Sequence, residues 1–188
     1  VAASGPLPLR YPQWLPGKHA PRGAIAEIAG LTFTANGRAL RWRRDPLDVF
    51  AFVADVPAGV RSIEARFQFL SPTRGSEGRV VMTPAMLNLQ FEQVSLYPAG
   101  HATRDIRVQP TVLLPAGWSA ATALDGAAVE GNRIRYGVTT YETLVDSPIF
   151  AGAHLRRWPL GHGVTLNVVA DEPRYLEATP EQIGAHIA

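Results

Sequence analysis

The chain of 188 residues contains no cysteine. Disulfides, thiolate metal sites and thiol nucleophiles are excluded together. Their absence does not fix a compartment, because a chain of this length buries enough surface to fold without staples. No stretch approaches the ~18 consecutive apolar residues of a transmembrane helix, so no membrane span is expected. Charge is sparse and nearly balanced, with 18 Lys and Arg against 16 Asp and Glu. The net charge of +2 is too small and too dispersed for a nucleic-acid partner. The densest basic stretch is Arg41, Arg43 and Arg44 around Trp42. It reads as a solvated strand end with one buried indole.

Proline and glycine, by contrast, are frequent, at 16 and 17 residues. Proline is kept out of helix interiors and central strands, so this many prolines demand many turns. Short apolar runs between such turns predict an all-β fold of antiparallel sheets. Residues 1–30 read as an extended segment broken at Tyr11-Pro12, Leu15-Pro16-Gly17 and Ala20-Pro21, pinned by Tyr11, Trp14 and Leu15. Leu31, Phe33 and Ala35 alternate with threonines before Asn36-Gly37, the preferred pair of a two-residue hairpin turn. Leu40 and Trp42 continue the alternation on the expected return strand. Further strands are expected at Val49–Val56, Ile63–Phe69, Val80–Met82, Leu87–Tyr97, Ile106–Leu114, Arg133–Val138 and Val164–Ala170, with a polar loop at Ser71–Gly78. Near the end, Thr179-Pro180-Glu181-Gln182 carries an N-cap, a first-turn proline and a capping-box glutamine. A helix starting there has room for only about two turns before Ala188, which sets the expectation that the natural chain continues.

The residue patterns of known chemistries are missing. None of His19, His101, His154, His162 and His186 has a histidine four residues on or a glutamate after it, so there is no His-Glu-x-x-His zinc motif. His154 and His162 would meet only across a hairpin, and Gly161-His162-Gly163 reads more simply as its turn. There is no Gly-x-Ser-x-Gly elbow and no phosphate-binding glycine loop. Glu142 and Asp146, four residues apart before Pro148, are the best carboxylate pair for acid–base work. Turn capping and solvation account for them more economically. Among the four tryptophans, Trp42 shares a strand face with Leu40 and reads as core, while Trp118 and Trp158 sit beside turns as candidate binding platforms.

Two stretches say more. One is Tyr11-Pro12-Gln13-Trp14-Leu15-Pro16-Gly17-Lys18-His19, followed by Pro21, Gly23, Ile28-Ala29-Gly30-Leu31, the Asn36-Gly37 turn and Trp42-Arg43-Arg44-Asp45. The other is Thr140-Tyr141-Glu142-Thr143-Leu144-Val145-Asp146-Ser147-Pro148-Ile149. In order and spacing they resemble the N-terminal domain of the glycyl aminopeptidase family, gluzincin metallopeptidases that often carry a PDZ domain. Ser71-Pro72 and the passage from Asp171-Glu172-Pro173 to Thr179-Pro180-Glu181-Gln182 fit the same family, so the resemblance runs over about residues 10–188.

The resemblance implies a β domain similar to that of aminopeptidase N, a sandwich or saddle of antiparallel sheets ending in a short helix. Residues 1–172 would form it, and 173–188 would lead into a catalytic domain beyond this chain. That domain would hold the zinc and remove N-terminal residues from peptides, so no catalytic residue, metal ligand or cofactor is expected here. The expected partners are the chain's own catalytic domain and the parent's peptide substrates. Members of the family are commonly bacterial and exported, which makes the expected location periplasmic or secreted. Within this frame the acidic, turn-prone loop Tyr141–Pro148 is expected to face the catalytic domain or the substrate, through Tyr141, Glu142, Asp146 and Ser147. The competing reading is a free-standing β-sandwich module that binds carbohydrate or peptide in a groove beside Trp118 or Trp158.

Overall fold

A computed structural model of the chain describes residues 4–15, 19–77 and 82–185. The strand expected at Val80–Met82 lies outside the described residues except for Met82, which bridges to Leu87. Pro16, Gly17, Lys18, Gly78 and His186 also lie outside them. The chain divides into two compact units. The first comprises Val1–Leu70, Gln90–Arg107 and Thr140–Asp146; the second comprises Ser71–Leu89, Val108–Thr139 and Ser147–Ala188.

In the first unit two antiparallel sheets share one core. The first sheet runs Trp42–Arg44, Ala51–Val56, Gly5–Arg10, Tyr97–Pro98; the second runs Arg38–Ala39, Ile28–Ala35, Glu64–Phe69. Leu9, Phe52 and Ala54 of the first sheet and Phe33 of the second form the buried cluster with Tyr11. Removing one such side chain from water is worth about 1.5–3 kcal/mol.

Gly5–Arg10 corrects the reading of the N-terminal segment as merely extended, for it is an interior strand despite Pro6 and Pro8. It pairs with Ala51–Val56 along its whole length. The Pro8 carbonyl accepts Ala99 N–H on the other side. Residues two apart point the same way, so neither proline removes a donor from the main ladder. Tyr11 anchors the strand's end, almost wholly buried, with its hydroxyl donating to the Gln93 carbonyl at 3.0 Å. Trp14 does not pin the segment; it is 63% exposed.

The Asn36-Gly37 hairpin forms as expected, with φ of 48° and 76° at the two turn residues. Its return strand is shorter than expected. Leu40 N–H still donates to the Phe33 carbonyl, but the Arg41 carbonyl accepts from Asp55 N–H. The chain therefore changes sheets between Leu40 and Arg41. Trp42 lands on an edge strand, 39% exposed, with its ring edge-on to Phe33 at 5.9 Å and Phe52 at 5.8 Å. It caps the core rather than filling it.

The second unit contains the sheet Thr111–Leu113, Arg133–Arg135, Ala128–Glu130, the sheet Ser119–Ala121, Ile149–Gly152, Met86–Leu89, and the hairpin His154–Gly161 with Val164–Ala170. Ile149 and Ala151 of the central strand are fully buried. Two long expected strands are interrupted. Leu87–Tyr97 breaks at Gln90 into the 3-10 turn Phe91–Gln93, and Ile106–Leu114 breaks at Gln109-Pro110. Leu176 is buried and its carbonyl accepts from Arg156 at 3.0 Å, so the segment after residue 172 folds back on the hairpin. The helix Pro180–Gly184 has the expected capping box between Thr179 and Gln182.

Gly152 shows how tight the packing is. A Cβ there would lie 2.6 Å from Val169 Cγ1 and 2.7 Å from the Ala85 carbonyl oxygen. Gly152→Ala is expected to cost about 1–3 kcal/mol through overpacking. In urea unfolding, Val169→Ala in the same chain should recover only part of that loss, because the Ala85 backbone cannot retreat as a side chain can.

Candidate functional site

The stretch Thr140–Pro148 is where sequence places a surface with a task. The expected loop is instead a short helix, Tyr141–Val145. Thr140 caps it, its hydroxyl accepting from Thr143 N–H at 3.1 Å, and Glu142 sits in the first turn where the helix dipole favours a carboxylate. Threonine followed two residues later by glutamate was the signal available for this start.

The helix sorts the four named residues. Tyr141 is only 3% exposed. Its hydroxyl lies 2.7 Å from Ser95 Oγ, and its ring lies 5.1 Å from that of Tyr97. Burial pushes the Tyr141 phenol above its ordinary value; the Ser95 bond opposes this, while Tyr97 and Glu92 add to it. A phenol so held stays neutral and offers no base. Ser147 is also buried, and its carbonyl accepts weakly from Thr122 Oγ1 at 3.4 Å. Glu142 and Asp146 are exposed. Glu142 in the helix and Asp146 at its C-cap are four residues apart and lie on the same side. Among the described residues neither is in an ion pair. They lack the enclosing groups that an acid–base pair needs, but form a small acidic face.

The other candidates disperse. His154 pairs with Ala170 at the open end of its hairpin, whereas His162 occupies the turn at the opposite end, so the two are not neighbours. Gly161-His162-Gly163 is the expected turn, with φ of 90°, 50° and 78°. No group of three or more metal-ligating side chains gathers among the described residues. Trp118 and Trp158 are half-buried, and Arg156 covers the Trp158 ring at 4.8 Å from its centroid. The basic stretch is partly committed: Arg43 lies 3.8 Å from Asp55, and Arg44 lies over the Phe52 ring at 5.2 Å.

A feature with no signal in the sequence is a cavity of about 340 Å³ in the second unit, with Leu124, Ile134 and Arg157 in its lining. Its residues come from five separate strands and two loops, without a motif to join them.

Comparison with known proteins accords with this picture of a β domain. A crystal structure of an aminopeptidase N family protein from Idiomarina loihiensis superposes with a TM-score of 0.67 over 86% of the chain at 16% identity. At that identity the likeness speaks for the fold. The chain spans 27% of the length of that protein. No curated protein sequence matches it. Residues 1–153 match the family described as the Peptidase M61 N-terminal domain, which bears out the resemblance carried by the Tyr11–His19 and Thr140–Ile149 stretches. With most of its length so matched, the chain belongs to the Peptidase M61 N-terminal domain family.

Proposed function

We propose that this chain is the non-catalytic N-terminal domain of a larger zinc-dependent aminopeptidase, which supports the catalytic domain and restricts access of substrates to it. The observation that carries this reading is the family match over residues 1–153. Its support in the fold is the likeness to a protein of the aminopeptidase N family, of which the chain spans 27%. Zinc, the His-Glu-x-x-His helix and any PDZ domain would belong to other parts of that protein. Its substrates would be peptides with free N-termini, and its location periplasmic or secreted. In this reading residues 1–172 form the domain proper, and the residues from 173 lead onward.

The acidic face of the Tyr141–Val145 helix has a place in this reading. Like charges four residues apart weaken an isolated helix by about 0.2–0.5 kcal/mol, so a cationic partner would relieve a small cost. Glu142 and Asp146 would meet basic groups of the catalytic domain, rather than the α-ammonium of a substrate. In the 188-residue chain alone, Glu142→Ala with Asp146→Ala should leave the melting temperature within about 2 °C of the parent. In the full-length peptidase the same pair should lower stability or alter kcat/KM for a glycyl or alanyl substrate. Unchanged stability and kinetics in the full-length protein would remove the acidic face from the proposal.

The domain assignment itself is tested by activity. The 188-residue chain should not hydrolyse glycyl- or alanyl-p-nitroanilide with or without added zinc, while the product of the complete gene should do so and lose activity to a chelator. Hydrolysis by the chain alone would overturn the non-catalytic assignment.

A further inference from the structure

The cavity in the second unit combines three features that suit one kind of ligand. Its volume of about 340 Å³ falls within the roughly 300–1,000 Å³ of small-ligand sites. Its floor is apolar, with Leu124 and Ile134 buried and Val129 at the open rim, 65% exposed.

The second feature is charge. Arg157 lines the cavity and spends one hydrogen bond on the Ala120 carbonyl, at 2.7 Å. Among the described residues no carboxylate forms an ion pair with it. A guanidinium has five donors in a planar fork that matches a carboxylate, so most of its capacity is unused. Asn167 faces Arg157 across the hairpin and also lines the cavity, with its Nδ2 donating to the Thr165 carbonyl at 3.2 Å.

The third feature is an edge. Among the described residues, strand Ser119–Ala121 is the outer strand of its sheet and pairs with Ile149–Gly152 alone. The Ala120 carbonyl accepts from Arg157. An extended chain laid along this edge would take over that carbonyl with a backbone N–H of its own and release the guanidinium for its carboxylate.

From these three we infer that the cavity binds the C-terminal end of an extended peptide. The terminal carboxylate pairs with the Arg157 guanidinium. A small branched last side chain, such as valine, fills the apolar floor against Leu124 and Ile134. The preceding backbone lies along Ser119–Ala121. A free short-chain acid would satisfy the charge and the floor but leave the edge unused, which is why a peptide end is the better occupant. The inference does not depend on the proposed parent enzyme, because the cavity lies wholly within one unit of this chain.

The test is titration calorimetry of the 188-residue chain with three probes: N-acetyl-Gly-Ala-Val as the free acid, the same peptide as its C-terminal amide, and isovalerate. The free acid should bind saturably, with the amide and isovalerate each about tenfold weaker or worse, the loss expected when a charge-assisted contact or the backbone pairing is removed. Arg157→Gln should reduce the free acid to the level of the amide. Ala127→Leu, at the exposed rim of the cavity, should weaken the free acid by filling the space while leaving Arg157 in place. Both positions are exposed, so both variants should melt with the parent. The inference is overturned by no binding of the free acid at millimolar concentration, equal binding of acid and amide, isovalerate binding as tightly as the peptide, or binding that survives either substitution.

Discussion

Phe52→Ala should unfold the first unit of this chain under conditions in which the parent is stable. Phe52 is 1% exposed in a strand flanked on both sides within its sheet. Trp42 meets its ring edge-on at 5.8 Å, Arg44 lies over it at 5.2 Å, and Leu9, Tyr11, Phe33 and Ala54 complete the cluster. Removing the ring takes apolar surface out of the core and leaves a cavity that sheet backbone cannot close, at a cost of about 3–5 kcal/mol. Whole domains are stable by only about 5–15 kcal/mol. With a urea slope of about 1–3 kcal/mol per molar, the midpoint followed by circular dichroism should fall by at least 1 M, or on the order of that. Leu47→Ala is the matched control, since Leu47 is 96% exposed and its loss should stay within about 0.5 kcal/mol. Equal midpoints for the two variants would mean that Phe52 is not in the core.

How far these features were legible in the sequence depends on whether a signal was local. The Asn36-Gly37 turn was readable because two residues carry the whole requirement for positive φ. The Val164–Ala170 strand and the Thr179–Gln182 capping box were readable for the same reason. Gly5–Arg10 was not recognised as an interior strand, because prolines argue against one. Its tolerance for Pro6 and Pro8 comes from the partner strand lying on the other side, a fact of tertiary pairing. The break at Gln90 was hidden as well: alternation runs through it, and the turn Phe91–Gln93 that follows is tied by the Ser95 hydroxyl donating to the Phe91 carbonyl.

The same division holds for function. The Thr140–Ile149 stretch carried the family resemblance, yet its residues part company in space. Tyr141 and Ser147 turn inward, while Glu142 and Asp146 stay on the surface. The stretch is therefore distinctive as much for what it packs as for what it presents. Arg157 illustrates the opposite case. Nothing near it in sequence marks it as special, and its interest arises only where a hairpin, an edge strand and a third sheet line one cavity.

The second large effect is expected in alkali. Tyr11 and Tyr141 are both almost wholly buried. Burial is the main cause that raises each phenol above its ordinary value of about 10, and the Glu92 carboxylate pushes both in the same direction. The folded chain therefore holds these protons more tightly than the unfolded chain. Stability from this source is fully present below the unfolded value, near pH 10, and is lost as pH rises through the folded values. In that window each phenol withdraws about 1.4 kcal/mol per pH unit, so the pair withdraws about 2.7. Two units of pH thus erase an amount comparable to a modest domain's whole stability. The chain should show flat urea midpoints from pH 7 to about 9.5 and a steep decline above. Tyr141→Phe separates the titration from the packing. At pH 7 it should lose about 1 kcal/mol with the Ser95 hydrogen bond. Above pH 10 the decline should be shallower, because one buried phenol is gone while Tyr11 and Tyr136, also raised by burial, still titrate, and the curves of parent and variant should cross. Parallel curves throughout would mean that Tyr141 ionises as freely in the folded chain as in the unfolded one, and the enclosed Ser95–Tyr141 pair would have to be abandoned.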